Sequence, residues 1–258
     1  MNISNRYTEF YNMISVISID IHRPNIYDRA FLVFSTKLYY ELFVFKEFFL
    51  SSNELVFFNT ILTDTRKYSF LIGRLVAKKG IEEIVSKCNL CEIDISKGVF
   101  HQPVIIHELS NNIQVSISHS HKIGAAIVFP EAHPMAIDVE LIDSSRPLYS
   151  ILDLTDKEEQ LIRECKLENA EILTLLWSAK EALSKVLKTG LMVNLKIYEI
   201  EGAEFNENFV EFLFSNFAQY KAVSWQYNGY AWSIVLPKKS IFNISSVLEY
   251  QHRKIGEY

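Results

Sequence analysis

The chain has 258 residues, 49% of them hydrophobic and 22% charged, with a formal net charge of −5. That balance belongs to a folded globular chain able to bury a core, and it excludes a disordered one. The negative excess argues against bulk nucleic-acid binding, and three cysteines, an odd count, argue against a disulfide framework.

The first residues, MNISNRYTEF, lack the basic and apolar regions of a signal peptide. The apolar stretch 31–50 is interrupted by Lys37, Glu41, Lys46 and Glu47 and reads as core or interface, not as a membrane span. The expected location is therefore the cytoplasm. Residues 62–87 read as a helix, with a Thr63-Asp64 start and apolar spacing at Phe70, Leu71, Leu75 and Val76. Cys88 and Cys91 form a C-x-x-C pair with His101 and His107 downstream, four potential zinc ligands. A strand pattern starting at Cys91 leaves no finger-like helix between the pairs, so zinc is the weaker reading there.

Three strands follow, at 113–118, 123–129 and 135–141, and their short connections favour an antiparallel meander. Further helices are expected from 154 and over 171–187. Near the end, Asn228-Gly229 between alternating aromatics marks a hairpin. With only 8 glycines and 6 prolines no flexible linker divides the chain. Leu62-Thr63-Asp64 and Leu154-Thr155-Asp156 both precede a helical region, an echo that hints at two related halves parting near Pro134: 1–134 and 135–258.

The strand 135–141 carries Asp138 and Glu140, which share a face because side chains two apart point the same way. Two neighbouring carboxylates fit either the solvated face of an edge strand or a site for a cation. The helix 171–187 has an apolar stripe from Ile172 to Leu187, and Trp177, Glu181, Ser184 and Lys188 lie opposite, with Lys185 one turn after Glu181. A surface ion pair accounts for Glu181 and Lys185; it does not account for Trp177, since a large aromatic on a polar face wants a partner. If that face meets the strand, Glu181 becomes a third carboxylate. Oxygen-only ligands suit Mg²⁺, which commonly shares its shell with phosphates, and Lys180 and Lys185 would supply charge for those phosphates.

In order, VSISHS (115–120), AIDVE (136–140) and WSAKEALSK (177–185) resemble the 4'-phosphopantetheinyl transferase superfamily, in its larger monomeric, surfactin-synthetase-activating type. LTDKE (154–158) resembles the family's F-S-x-x-E segment and FLIGRLVAK (70–78) its upstream helix; the likeness covers roughly 62–236 and leaves residues 1–60 unmatched. Two positions depart from the family: Ala136 replaces a glycine, and Gln102 in FHQPV stands where a phosphate-binding lysine is common. The resemblance implies an α+β fold of two similar halves, each an antiparallel sheet with helices, pseudo-two-fold related with the site in the cleft between them. It implies Mg²⁺-dependent transfer of 4'-phosphopantetheine from coenzyme A to a serine of an acyl or peptidyl carrier protein, by a monomer that needs neither membrane nor nucleic acid. Asp138, Glu140 and Glu181 would hold Mg²⁺; Lys185, with Lys180, would neutralise the diphosphate. Ser118 and His119 would contact the 3'-phosphorylated ADP portion, aided by Arg74 and Lys78, and Glu158 or Glu181 would take the serine proton. A catalytically decayed carrier-binding protein of the same fold is the alternative, and a zinc-linked module a third.

Overall fold

The computed structural model describes residues 10–11, 14–24, 26–85, 88–108 and 112–255. It divides into two compact units, one of 1–19 with 29–132, the other of 20–28 with 133–258. The chain begins with strands β1 (Ser15–Arg23) and β2 (Ile26–Ser35), then α1 (Tyr39–Phe45), α2 (Ser52–Thr60) and the long α3 (Asp64–Val85). A small hairpin, β3 (Asp94–Lys97) with β4 (Pro103–Ile106), precedes β5 (Ile113–Ser120) and β6 (Ile123–Pro130).

In the first unit β6 pairs antiparallel with β5 over its whole length and with β2 from Phe31↔Val128 to Ser35↔Gly124. Helix α3 buries Leu71, Ile72, Leu75 and Val76, the spacing expected for an amphipathic stripe. It also contains Gly80, whose missing Cβ would stand 2.7 Å from Val128 Cγ2 and 3.2 Å from Val33 Cγ2, so helix and sheet approach more closely there than any larger residue allows.

The second unit runs β7 (Ala136–Leu141), α4 (Leu148–Ile151), α5 (Asp156–Glu164), α6 (Asn169–Val186), β8 (Ile200–Phe205), β9 (Val210–Phe214), β10 (Tyr220–Tyr227), β11 (Tyr230–Pro237), β12 (Ile241–Phe242) and α7 (Ile244–Ile255). Its sheet has the order β7-β11-β10-β9-β8. The hairpin is where the sequence places it: Tyr227 pairs with Tyr230, and Asn228 and Gly229 take φ of 54° and 77°, the left-handed pair a two-residue turn needs. The meander stops one strand early. Both edges of β6 are already occupied, by β2 and β5, so β7 pairs with β11 instead, as the edge strand of the other sheet.

The tip of the β1–β2 hairpin belongs to the second unit, where Ile21 and His22 pair with Phe242 and Ile241. His133 anchors it. The ring is fully buried, with Nε2 2.7 Å from Ser240 Oγ and Nδ1 accepting from Arg23 Nε at 3.3 Å, 3.5 Å from Asp28. Burial and the Arg23 charge push its pKa down to about 4, which leaves it neutral near pH 7.

One arrangement recurs within each unit, and it is not the Leu-Thr-Asp echo seen in the sequence. Ser51 caps α2, and Glu54 closes the capping box. Buried, Glu54 pairs with Lys78 and Arg74 of α3 and accepts the backbone N–H of Ile95 in β3. In the second unit Thr155 caps α5, Glu158 closes the box, pairs with buried Lys180 of α6, and accepts the N–H of Ile200 in β8. Short capped helix, long helix and strand are tied to one carboxylate each time. The aligned segments are therefore 51–54 and 155–158, not 62–64 and 154–156.

Candidate active site

Asp138 and Glu140 extend from one face of β7, opposite Ser233 and Ala231 of β11. Small neighbours on that face leave room for α6 to lie across it. Helix α6 brings Glu181 over the strand, and one oxygen each of Asp138, Glu140 and Glu181 lie within 4.8 Å of one another. This is the one such cluster of three metal-ligating side chains among the described residues. Lys185 joins from the next turn: its Nζ donates to Asp138 Oδ1 at 2.8 Å and to the Ile137 carbonyl at 3.2 Å, and stands 3.7 Å from Glu181. β7 is an edge strand, yet Asp138 is only 1% exposed. The solvated-face explanation of its carboxylates does not hold.

The opposite flank of Glu140 is equally furnished. Trp177 Nε1 donates to its Oε1 at 3.2 Å and Arg146 Nη1 to its Oε2 at 3.0 Å, while the guanidinium sits 4.8 Å above the Trp177 ring. Trp177 thus has the partner its position demanded. Arg146, in the loop after β7, carried no signal in the sequence beyond being a lone arginine.

Crowded carboxylates under a protein roof resist ionisation. Burial, followed by the Asp138 charge, raises the pKa of Glu140 and takes that of Glu181 up to about 7. Burial opposes the Lys185 charge, but Asp138 and Glu181 outweigh it and its pKa rises. Three carboxylates against Lys185 and Arg146 leave one negative charge in excess when all are ionised.

The structure changes several roles the resemblance implied. Glu158 and Lys180 are both fully buried and face each other at 2.7 Å, out of reach of a phosphate or an incoming serine. Lys78 is likewise fully buried against Glu54 and the Phe49 carbonyl. Three side chains read as a base and two phosphate ligands are therefore internal ion pairs, because the helical face that carries them packs inward. Ser118 is buried on β5, and His119 beside it is exposed. His119 lines a cavity of about 530 Å³ in the first unit with Arg66, Arg74, Lys97 and His101. Arg66 and Lys97 share no spacing that would have drawn attention to them, and His101 stood out only as a possible zinc ligand. Gln102 is turned into its own loop, where its Oε1 accepts the Phe100 N–H at 3.0 Å. Ala136 is buried and pairs with Val235. Cys88 and Cys91 are free thiols, and among the described residues they form no ligand cluster with His101 and His107.

Residues 134–235 match the family model described as the 4'-phosphopantetheinyl transferase superfamily. It contains all three carboxylates, Arg146, Trp177 and Lys185. No curated protein matches the chain. Among solved structures, a holo-acyl-carrier-protein synthase from Bacillus anthracis in complex with CoA (3',5'-ADP) is 24% identical, over 46% of this chain and 96% of its own, with a TM-score of 0.35. The holo-ACP-synthase of Plasmodium yoelii is 19% identical over 45% of this chain and 95% of its own, with a TM-score of 0.33. That of Helicobacter pylori, in complex with coenzyme A, is 20% identical over 44% and 97%, with a TM-score of 0.29.

Two outcomes follow from this geometry. Removing one partner of a buried ion pair strands the other, so Glu158→Gln and Lys180→Met should each lower stability by about 3–5 kcal/mol, and combining them should restore part of the loss. Urea unfolding of the three variants measures this; a stable Glu158→Gln that has lost only turnover would return the residue to the chemistry. For Glu181, the folded form binds the extra proton between its unfolded value of 4.5 and about 7, so stability falls as pH rises through that window. Without metal, Glu181→Gln should gain about 1–3 kcal/mol at about pH 8 and nothing below the unfolded pKa. Unfolding in a chelator at both pH values checks the sign.

Proposed function

We propose that the chain transfers the 4'-phosphopantetheine of coenzyme A to a serine hydroxyl of an acyl or peptidyl carrier protein, with Mg²⁺ at Asp138, Glu140 and Glu181. The observation that carries this reading is the convergence of three carboxylates and Lys185 within the segment that matches the superfamily model. The donor set fits the ion: all oxygen, and with a spread of 4.8 Å, close to the ~4 Å span of an octahedral Mg²⁺ shell. Bound there, Mg²⁺ would neutralise diphosphate charge.

The chain's own groups have distinct tasks. Lys185, held in place by Asp138 and the Ile137 carbonyl, presents a fixed positive charge beside the carboxylates. Glu181 keeps about a quarter of its side chain open, which lets an incoming hydroxyl reach its carboxylate. The serine oxygen attacks the β-phosphorus as its proton passes to Glu181; the bond from that phosphorus to the bridging oxygen breaks, and adenosine 3',5'-bisphosphate leaves. Phosphoryl transfer asks mainly for positioning and charge, which this constellation supplies. In the first unit, His119, Arg66 and Lys97 line one cavity and offer basic groups to an anion, while Gln102 is engaged in its own loop. Retention of all three carboxylates with Lys185 favours transfer over a decayed, carrier-binding role.

The test is direct. Apo carrier protein, coenzyme A and Mg²⁺ are incubated with the chain, and the carrier is weighed. A mass gain of one phosphopantetheine is expected, and Asp138→Asn should slow it by roughly 10²–10³. Unchanged carrier mass across fatty-acid, polyketide and peptide carriers would sink the reading.

A further inference from the structure

The loop after β7 is built to send one side chain back over the strand. Asp143 Oδ1 accepts both the N–H and the hydroxyl of Ser145, at 2.8 and 2.7 Å, and the Arg146 N–H donates to the Asp143 carbonyl at 3.1 Å. The Leu148 N–H then donates to the Arg146 carbonyl at 2.8 Å. This tight turn returns the guanidinium of Arg146 to Glu140 Oε2, six residues upstream, and lays it on Trp177.

Trp177 thus donates to Glu140 Oε1 and Arg146 to its Oε2. A cation coordinated by Oε2 must share that oxygen with a guanidinium or displace it. The two cations of the site are not equivalent in this respect. Lys185 has Asp138, Glu181 and a backbone carbonyl around it. Arg146 has one carboxylate and one ring, and its side chain is 31% exposed. Arg146 is the one with least to lose by turning outward. Its planar fork also matches two phosphate oxygens at once, and pairs of that kind are among the strongest charge-assisted bonds.

We propose that Arg146 makes cation binding and diphosphate binding interdependent: it restrains Glu140 while the site lacks substrate, and turns to the diphosphate when coenzyme A enters. Its departure frees Glu140 Oε2 for the divalent ion. The inference rests on the reading of this site given above. Arg146 acts first as a positioning residue for Glu140 and then as an anion ligand. Coupling of this kind is reciprocal, so coenzyme A must tighten the cation by the same factor as the cation tightens coenzyme A.

Binding of Mn²⁺, followed by calorimetry and by the paramagnetic signal of the free ion, tests this with and without coenzyme A and with no carrier present. For the wild type, coenzyme A should tighten Mn²⁺ by roughly 10-fold or more. Arg146→Gln should bind Mn²⁺ alone roughly 3–10-fold more tightly, since one competing charge is gone, while the tightening by coenzyme A shrinks to a few-fold. Arg146→Lys, which keeps the charge without the fork, should fall between. A purely structural arginine would weaken Mn²⁺ when removed; that result, or an unchanged coenzyme A effect in Arg146→Gln, overturns the proposal. If the carrier gains mass in the transfer assay while the coupling is unaltered, the role of Arg146 fails and the transferase reading stands. If the wild type binds no Mn²⁺ even with coenzyme A, both fail.

Discussion

Mutual repulsion among Asp138, Glu140 and Glu181 is the constraint around which the second unit is arranged. Carboxylates with oxygens within 4.8 Å of one another do not stay together unaided in a partly buried place. Lys185 lies against two of them and Arg146 against the third. Trp177 roofs the cluster and donates to Glu140. The elements serve the same end: β7 carries two carboxylates on one face, small residues on β11 stand beside them, and α6 lays the remaining ligand across. What repels without a metal is what would bind one.

Burial separates the two kinds of ion pair in this chain. Glu158 with Lys180, and Glu54 with Lys78, are sealed from solvent and bonded to the backbone of a following strand. Each fastens a short capped helix to a long helix and a strand, and nothing the size of a phosphate reaches them. Lys185 and Glu181 keep about a quarter of their side-chain surface open, enough to meet a ligand. Adjacent residues on one helix, Lys180 and Glu181, thus serve opposite purposes. For the same reason the variants differ: Glu181→Gln relieves repulsion, whereas loss of Asp138 deprives Lys185 of its nearest partner.

Much of this was legible in the sequence, and the reasons for the remainder are physical. Period 2 puts Asp138 and Glu140 on one face of the strand and period 3.6 puts Glu181 and Lys185 on one face of the helix, while the meeting of those faces was implied only by the family resemblance. The Asn228-Gly229 hairpin was equally plain. Periodicity says which face a residue is on, but not whether that face is covered, so Lys78, Lys180 and Glu158 were read as reaching ligands. Strand partners were also out of reach: short connections suggested a meander, and only the occupied edges of β6 explain why β7 pairs with β11. Arg146 owes its place to an Asp143 turn, and no spacing rule anticipates that. The true internal repeat hid because its cap residues, Ser51 and Thr155, are chemically alike but not identical.

The central claim is that these three carboxylates form one cation site, and diffraction from a crystal soaked in Mn²⁺ with coenzyme A tests it most directly. The account predicts one anomalous peak with an oxygen of each of Asp138, Glu140 and Glu181 at about 2.2 Å, and the coenzyme A diphosphate completing the shell. A peak elsewhere in the chain, with these carboxylates still held only by Lys185, Arg146 and Trp177, would contradict it.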